Sequence, residues 1–442
     1  MAGDHGKVEA IRAAVAARRE DLIALTQEMV RIPTLNPPGR LYGDFCEMLR
    51  ARLEGAGWQV QLLRAEGALG DSDAHPRWNL VARLEGARPG ETVHFNSHHD
   101  VVPVGEGWTR DPFGAELEGG RIWGRGTCDM KGGLATSIIA AEAFAAAMPD
   151  FAGAIEVSSV ADEESGGFAG AAWLAERGWF DPARVQHVII PEPLHKDSIC
   201  LGHRGVWWAE IVAHGRIAHG SMPFLGDSAI AHMGAVLHEI DTVLQPALAA
   251  RRTAMPVIPE GARASTLNIN AIHGGEAQQD AGYTGLPTPC VADRCRIVLD
   301  RRFLAEERLE DVKAEIRDLV ARVAARRGFS FEVHELFEVH PSMTAREAPV
   351  VQAVDHAIAA VFGRPAALVA SPGTYDQKHV DRIGGLKNVI AYGPGVLDLA
   401  HQPDEWIAVD DMVESACVMG LALATLLDRQ SAGAAGCTAA QV

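Results

Sequence analysis

No two cysteines in this sequence stand at CxxC spacing. Its seven cysteines (46, 128, 200, 290, 295, 417 and 437) are odd in number and scattered. That excludes a disulfide framework and fits reduced thiols, so a cytoplasmic protein is expected. Cys128 is expected to pack as a small side chain rather than to act as a nucleophile. No stretch reaches the roughly 18 uncharged apolar residues of a spanning helix. The polar, Ala-rich segment Met1–Glu20 lacks the apolar core of a signal peptide, so neither export nor membrane insertion is expected. Basic charge is scarce as well. Lys and Arg number 40 against 58 Asp and Glu, a net charge of −18, which argues against nucleic acid or an anionic membrane as partner. Internal repeats are absent too. A chain of 442 residues exceeds one ordinary core, so two domains are expected.

Apolar spacing predicts helices over Ile11–Arg31, Gly43–Gly55, Gly132–Met148 and Gly167–Arg177. Strands are predicted at Trp58–Leu63, Asn79–Leu84, Thr92–Asn96, Ala154–Val160 and Val185–Ile190. This alternation implies an α/β domain with a largely parallel sheet. The pattern changes near Cys200. Strand Val206–Ala213, helix Ser228–Ala250, strands Thr266–Ile272 and Cys295–Asp300, helix Glu306–Arg327 and strand Phe331–Leu336 follow in β-α-β-β-α-β order, the ferredoxin-like arrangement. Helix and strand alternation resumes after about residue 340. The expected organisation is one domain over 1–199 and 338–442, with a second inserted at 200–337. The Ala-, Gly- and Thr-rich tail from Ser431 is expected to be disordered.

Polar residues cluster where predicted strands end, the edge at which open α/β sheets bind ligands. Ser97-His98-His99-Asp100 follows the strand Thr92–Asn96. Alternation puts residues 98 and 100 on one face and His99 on the other. His98 can then offer a ring nitrogen to a metal while Asp100 accepts from the other one, fixing its tautomer. In Gly124–Gly133, glycines permit close backbone approach, and Asp129 at the mouth of a helix is either a cap or a metal-bridging carboxylate. Asp162-Glu163-Glu164 ends a buried strand. Adjacent acids repel unless a cation neutralises them, and they allow one to bind metal while another serves as base. Glu192, between Pro191 and Pro193, and His401 in His401-Gln402-Pro403-Asp404-Glu405 complete the set. His98, Asp129, Glu164, Glu192 and His401 give two imidazoles and three carboxylates, which suit zinc, cobalt or manganese. Five donors exceed one tetrahedral ion and fit two ions sharing a carboxylate.

The motifs HHDVVPVGEGW, GRGTCDMKGG, ADEESGG, PEP and AHQPDEW, in this order, resemble the acetylornithine deacetylase / succinyl-diaminopimelate desuccinylase family of metallo-aminoacylases and carboxypeptidases. The resemblance spans roughly Leu22 to Leu427. It implies a zinc-exopeptidase-like catalytic domain and an inserted lid that makes a homodimer. It implies that His98 and Glu192 bind one divalent ion, Glu164 and His401 the other, and Asp129 both. Zn2+ is the expected metal, with Co2+ or Mn2+ as alternatives. Asp100 would orient His98, and Glu163 would deprotonate water and pass the proton to the leaving amine. His219, in GRIAHGSMP, would reach the partner subunit's site to stabilise the oxyanion. Asn268 would lie near substrate, Arg302 would hold its carboxylate and Gly373 would offer backbone. The adjacent Arg301 is an alternative to Arg302. The chain departs from the family pattern at Gln278–Pro289 and at GTYDQKHV, and both segments bear on substrate choice. The expected activity is removal of an acetyl, succinyl or related acyl group from a small N-acyl amino acid. A dipeptidase or carboxypeptidase on the same scaffold is the alternative. A non-catalytic relative is disfavoured because Glu163 and all five donors are present.

Overall fold

The computed structural model describes residues 2–275 and 289–427. The tail from Ser431 and all but the last residue of Gln278–Pro289 lie outside them. The chain divides into two compact units, 1–202 with 344–369 and 375–442, and 203–343 with 370–374. The short segment 370–374, which carries Gly373, falls in the second unit rather than with the residues that flank it.

The first unit is mixed α/β. Its sheet runs in the order Gln59–Arg64, Trp78–Glu85, Ala152–Val160, Arg88–His98, His187–Ile190, Val389–Ala391 and Ser198–His203. The central four of these are parallel, and the outer pairings are antiparallel. Strand alternation divides the sheet between two cores. Leu80, Val93, Phe95, Ile155 and Val157 pack with residues of helices Gly132–Ala147, Pro349–Phe362 and Val409–Leu427. On the opposite face Val81, Val160, Val188 and Ile190 meet Leu174, Phe180 and Val380. On that second face the central strand presents a buried polar stripe, His94, Asn96 and His98, with His94 against Phe180.

Several predicted helices are shorter than their periodicity. The span Ile11–Arg31 holds two helices, Ala2–Ala16 and Arg19–Val30, and no Gly or Pro marks the break. The helix predicted from Gly167 starts at Ala171. Gly166 and Gly167 take positive φ, and a side chain at Gly170 would strike the Ala161 carbonyl at 2.1 Å. Those glycines belong to the turn that sets up the acidic loop.

The second unit is an antiparallel sheet in the order Thr266–Gly274, Arg294–Phe303, Gly205–His214, Phe331–Val339. Helices Ala229–Glu239 and Leu309–Arg327 cover one face through Trp207, Ile211, Met233, Val236, Leu299, Ile316 and Val320. Element order and strand order together are ferredoxin-like. The long helix predicted over Ser228–Ala250 is interrupted by a widened turn at Ile240–Leu244, which accommodates Pro246 in the turn that follows.

Candidate active site

The central strand Arg88–His98 delivers His98, which is 1% exposed, at its carboxyl end. His98 Nε2 lies 3.0 Å from Asp129 Oδ1. Its Nδ1 lies 3.0 Å from the Asp100 backbone carbonyl and 3.4 Å from the Asp100 carboxylate. The expected carboxylate contact is therefore the longer of the two. The Asp100 carboxylate is committed elsewhere, accepting from the Asn36 amide (2.8 Å) and from the backbone N–H groups of Glu163 and Glu164 (3.1 Å each). Asp100 thus ties the end of one strand to the acidic loop after the next. His99 points the other way, stacked on Phe45 and hydrogen-bonded to Ser159. Burial holds its pKa down to about 3, so it is a neutral core residue.

Asp129 lies in the turn Thr127–Lys131, before the helix Gly132–Ala147, and does not cap that helix. The turn is held from behind by Glu405, a fully buried carboxylate. It accepts from the N–H groups of Gly126, Cys128 and Asp129 at 2.8–3.1 Å and from Arg125 at 2.7 Å. Arg125 also donates to the carbonyls of His401 and Gln402. One salt bridge therefore sets two donor-bearing loops. Cys128 is buried with its Sγ against the Val396 carbonyl, as a packing residue.

The three successive acids serve different partners. Asp162, at φ +59°, is held by Tyr42 (2.8 Å) and by Arg77 (2.6 Å). Glu163 faces the buried Lys378 ammonium at 3.4 Å. Glu164 lies 3.0 Å from His401 Nε2, and the same nitrogen is 3.5 Å from Asp129 Oδ2.

Two triads result: His98, Asp129 and Glu192, and Asp129, Glu164 and His401, each with donor atoms within 4.8 Å of one another. Asp129 belongs to both. The electrostatics match a site built for cations. Burial, then the Asp129 charge, pushes Glu164 up to about 8, and the same causes push Glu192 well up. Burial would raise Asp129 as well, but hydrogen bonds from His401 and His98 outweigh it and hold Asp129 below the usual carboxylate range. Contacts with Asp129 and Glu164 raise His401 to about 10. One buried and two half-buried carboxylates around two imidazoles leave negative charge that two divalent ions would neutralise, and the donor set is all oxygen and imidazole nitrogen. The residues present fit the expected pair of ions. His401 is 49% exposed, so the centre opens on its side.

Residues of the second unit form a looser group. Asn268 and Asp300 are register partners, and Arg302 lies two residues along, so all three share the sheet face away from the helices. Arg302 forks onto Asp300 at 2.7 and 3.0 Å. Arg301 points into the helix-covered core, fully buried against Glu307 at 2.8 Å. Strand parity thus leaves Arg302 as the arginine able to meet a ligand. Asn268 is exposed and donates to Asn270. His219 is exposed, its Nδ1 accepting from the Ser221 N–H and facing its hydroxyl. Gly373 lies in a loop whose Pro372 carbonyl accepts from buried Arg204, and an added Cβ there would meet the Ser371 hydroxyl in ordinary contact at 3.8 Å. Glu405, Asn36 and Lys378 were not picked out from sequence. Glu405 and Lys378 lie inside quoted motifs, whereas Asn36 has no local signal.

Residues 94–425 match the model of Peptidase family M20/M25/M40. The chain belongs to this family. It is 29% identical over 409 residues to a succinyl-diaminopimelate desuccinylase of Methylorubrum populi, covering 91% of this chain and 97% of that protein. Among solved structures, human carnosine dipeptidase 1 superimposes with a TM-score of 0.74 at 20% identity, covering 95% of this chain and 99% of that one. A Bacillus subtilis dinuclear metal-binding peptidase of the M20 family does so at 0.65 and 17%, covering 93% and 99%. The M20 chain described here is a metal-dependent hydrolase of amide bonds. Among its described residues, no helix is long and apolar enough to cross a membrane.

Proposed function

We propose that this enzyme removes an acyl group, with succinyl the leading candidate, from a small N-acyl-L-amino acid. The observation that carries the reading is Asp129, shared by two donor triads and followed in the chain by Glu163 beside its own buried cation. The desuccinylase name of relatives at 29% and 26% identity favours a succinylated substrate. His98 and Glu192 would hold one ion, Glu164 and His401 the other, and Asp129 both. Bound there, zinc or a similar ion would polarise the scissile carbonyl and lower the pKa of water. Glu163 takes the proton from water and returns it to the leaving amine. Asp100 keeps His98 and the acidic loop in register.

The second unit serves as lid and dimer surface in this reading. His219 of one protomer donates to the oxyanion formed in its partner. Arg302 grips a substrate carboxylate, with Asn268 and the Gly373 backbone beside it. Exposed Ile217, Met222, Phe224 and Leu225 around His219 supply an apolar surface for the homodimer. A cytoplasmic location belongs to this reading, supported by scattered cysteines that lack CxxC spacing.

The test is hydrolysis of a panel by metal-stripped and by zinc- or cobalt-restored protein. The panel holds N-succinyl-diaminopimelate, N-acetylornithine, other N-acyl amino acids and dipeptides. Metal-restored cleavage of succinyl-diaminopimelate supports the reading, and cleavage of dipeptides alone replaces it with the peptidase alternative. Glu163→Gln should retain metal and lose rate by about 10²–10⁴-fold.

A further inference from the structure

Strands Arg88–His98 and Ala152–Val160 run parallel, with His94 opposite Glu156 and Asn96 opposite Ser158. On the face away from Val93 and Phe95, these polar side chains join end to end. Glu156 meets His94 Nδ1 at 3.0 Å, and His94 Nε2 meets the Ser158 hydroxyl at 2.8 Å. Ser158 donates to the Asn96 carbonyl oxygen at 2.8 Å, and the Asn96 amide donates to Asp376 Oδ2 at 2.9 Å. All five side chains are 0–1% exposed. At the outer end Glu156 is capped by Arg83 at 2.9 Å and by Arg184.

The chain has a fixed polarity. An Asn96 turned over would set its oxygen against the Asp376 carboxylate, so the amide donates there and the carbonyl accepts from Ser158. The single hydroxyl hydrogen of Ser158 is then spent, and its oxygen accepts from His94. A buried series of this kind is costly unless every member is satisfied. Its inner end is where satisfaction is incomplete: Asp376 Oδ1 is buried and has no hydrogen-bond partner among the described residues. Asp376 opens the short helix Gln377–Arg382, which carries Lys378. The Lys378 ammonium is 4% exposed, draws on the Asp376 carboxylate, and lies 3.4 Å from Glu163 Oε1.

We propose that the series His94, Ser158, Asn96 and Asp376 is a positioning network that acts through Lys378 to hold the Glu163 carboxylate in one orientation beside the donor triads. Asp376 anchors the first turn of its helix from below, and Lys378 transmits that anchor to Glu163. The inference rests on the reading of Glu163 as the base.

The test uses full-length, zinc-loaded protein with N-succinyl-diaminopimelate. Lys378→Met should lower kcat by at least about tenfold with KM and bound zinc unchanged, and Lys378→Arg should recover part of the loss. Ser158→Ala, which removes one link at almost constant volume, should lower kcat in the same manner but less. Combined with Glu163→Gln, Lys378→Met should cost nothing further, because the two act as a unit. Wild-type kcat in Lys378→Met, a change in KM alone, or an undiminished loss in the Glu163→Gln background would each overturn the network. Near-full activity of Glu163→Gln would instead sink the assignment of the base. A crystal structure of zinc-loaded Lys378→Met supplies a readout that needs no turnover. Glu163 should occupy more than one rotamer, and a single unchanged rotamer would remove the proposed role.

Discussion

In the first unit, His98, Asp129 and Glu164 are each fixed by partners far away in sequence. His98 meets Asp129, the turn of Asp129 hangs on Glu405, and the backbone of Glu164 hangs on Asp100. In the second unit, Arg302 binds Asp300, Asn268 binds Asn270 and His219 binds Ser221, all two residues away and on exposed or half-buried ground. The first group is built from buried and part-buried polar contacts that would be expensive to leave unmade. The second is held by neighbours that a ligand carboxylate or a carbonyl could displace. Substitutions in the first unit should therefore disturb metal content and stability together. Those in the second should alter turnover or affinity in a protein that remains folded.

The largest effect is expected at Asp129. Asp129→Ala removes the donor common to both triads, so bound zinc should fall well below two ions per chain and turnover should vanish. Metal analysis of the purified variant decides this, since two retained ions would show that no carboxylate is shared. Glu405→Ala comes next. It strands three N–H groups and the Arg125 guanidinium in a buried site, a change that typically costs about 3–5 kcal/mol. Denaturant unfolding of the metal-free protein should show that loss. A stability close to wild type would mean that the loop does not depend on the salt bridge.

If the chain dimerises as proposed, His219→Ala should leave the zinc content and that dimer intact and reduce kcat by about 10²–10³-fold, the usual cost of one oxyanion donor. Sizing chromatography and zinc analysis check the first two. A mixture of His219→Ala and Glu163→Gln protomers should regain activity if the histidine serves its partner, because one hybrid site then has both residues. Absence of recovery in confirmed mixed dimers would confine His219 to its own protomer.

Three of the candidate donors, His98, Glu164 and Glu192, were legible because each follows a predicted strand, and strand ends converge in an open α/β sheet whatever the loops between them do; Asp129 and His401 were read from a Gly-rich segment and a short motif instead. Parity along the extended segment also separated His98 from His99. What escaped was the second layer. Glu405 and Asn36 act on loops 276 and 64 residues away, and no local period records such a pairing. Lys378 lay in a segment noted only for departing from its relatives. The break at Ala17–Arg18 escaped for the same reason in reverse, since local spacing stays helical there while packing decides where the axis changes; at Ile240–Leu244 the local signal, Pro246, was present.

The smallest expected effect separates two neighbouring arginines that sequence could not rank. Arg301 is sealed in the core against Glu307, whereas Arg302 lies on the open sheet face, held by Asp300. Arg302→Lys keeps the charge and loses the planar fork, so KM should rise by about tenfold while stability stays near wild type. Arg301→Lys should do the opposite, lowering the unfolding midpoint and sparing KM. Steady-state kinetics and denaturant curves on the two variants settle the pair. If the two KM values move alike, strand parity does not determine which arginine meets the substrate. The second unit would then be as tightly coupled to its site residues as the first.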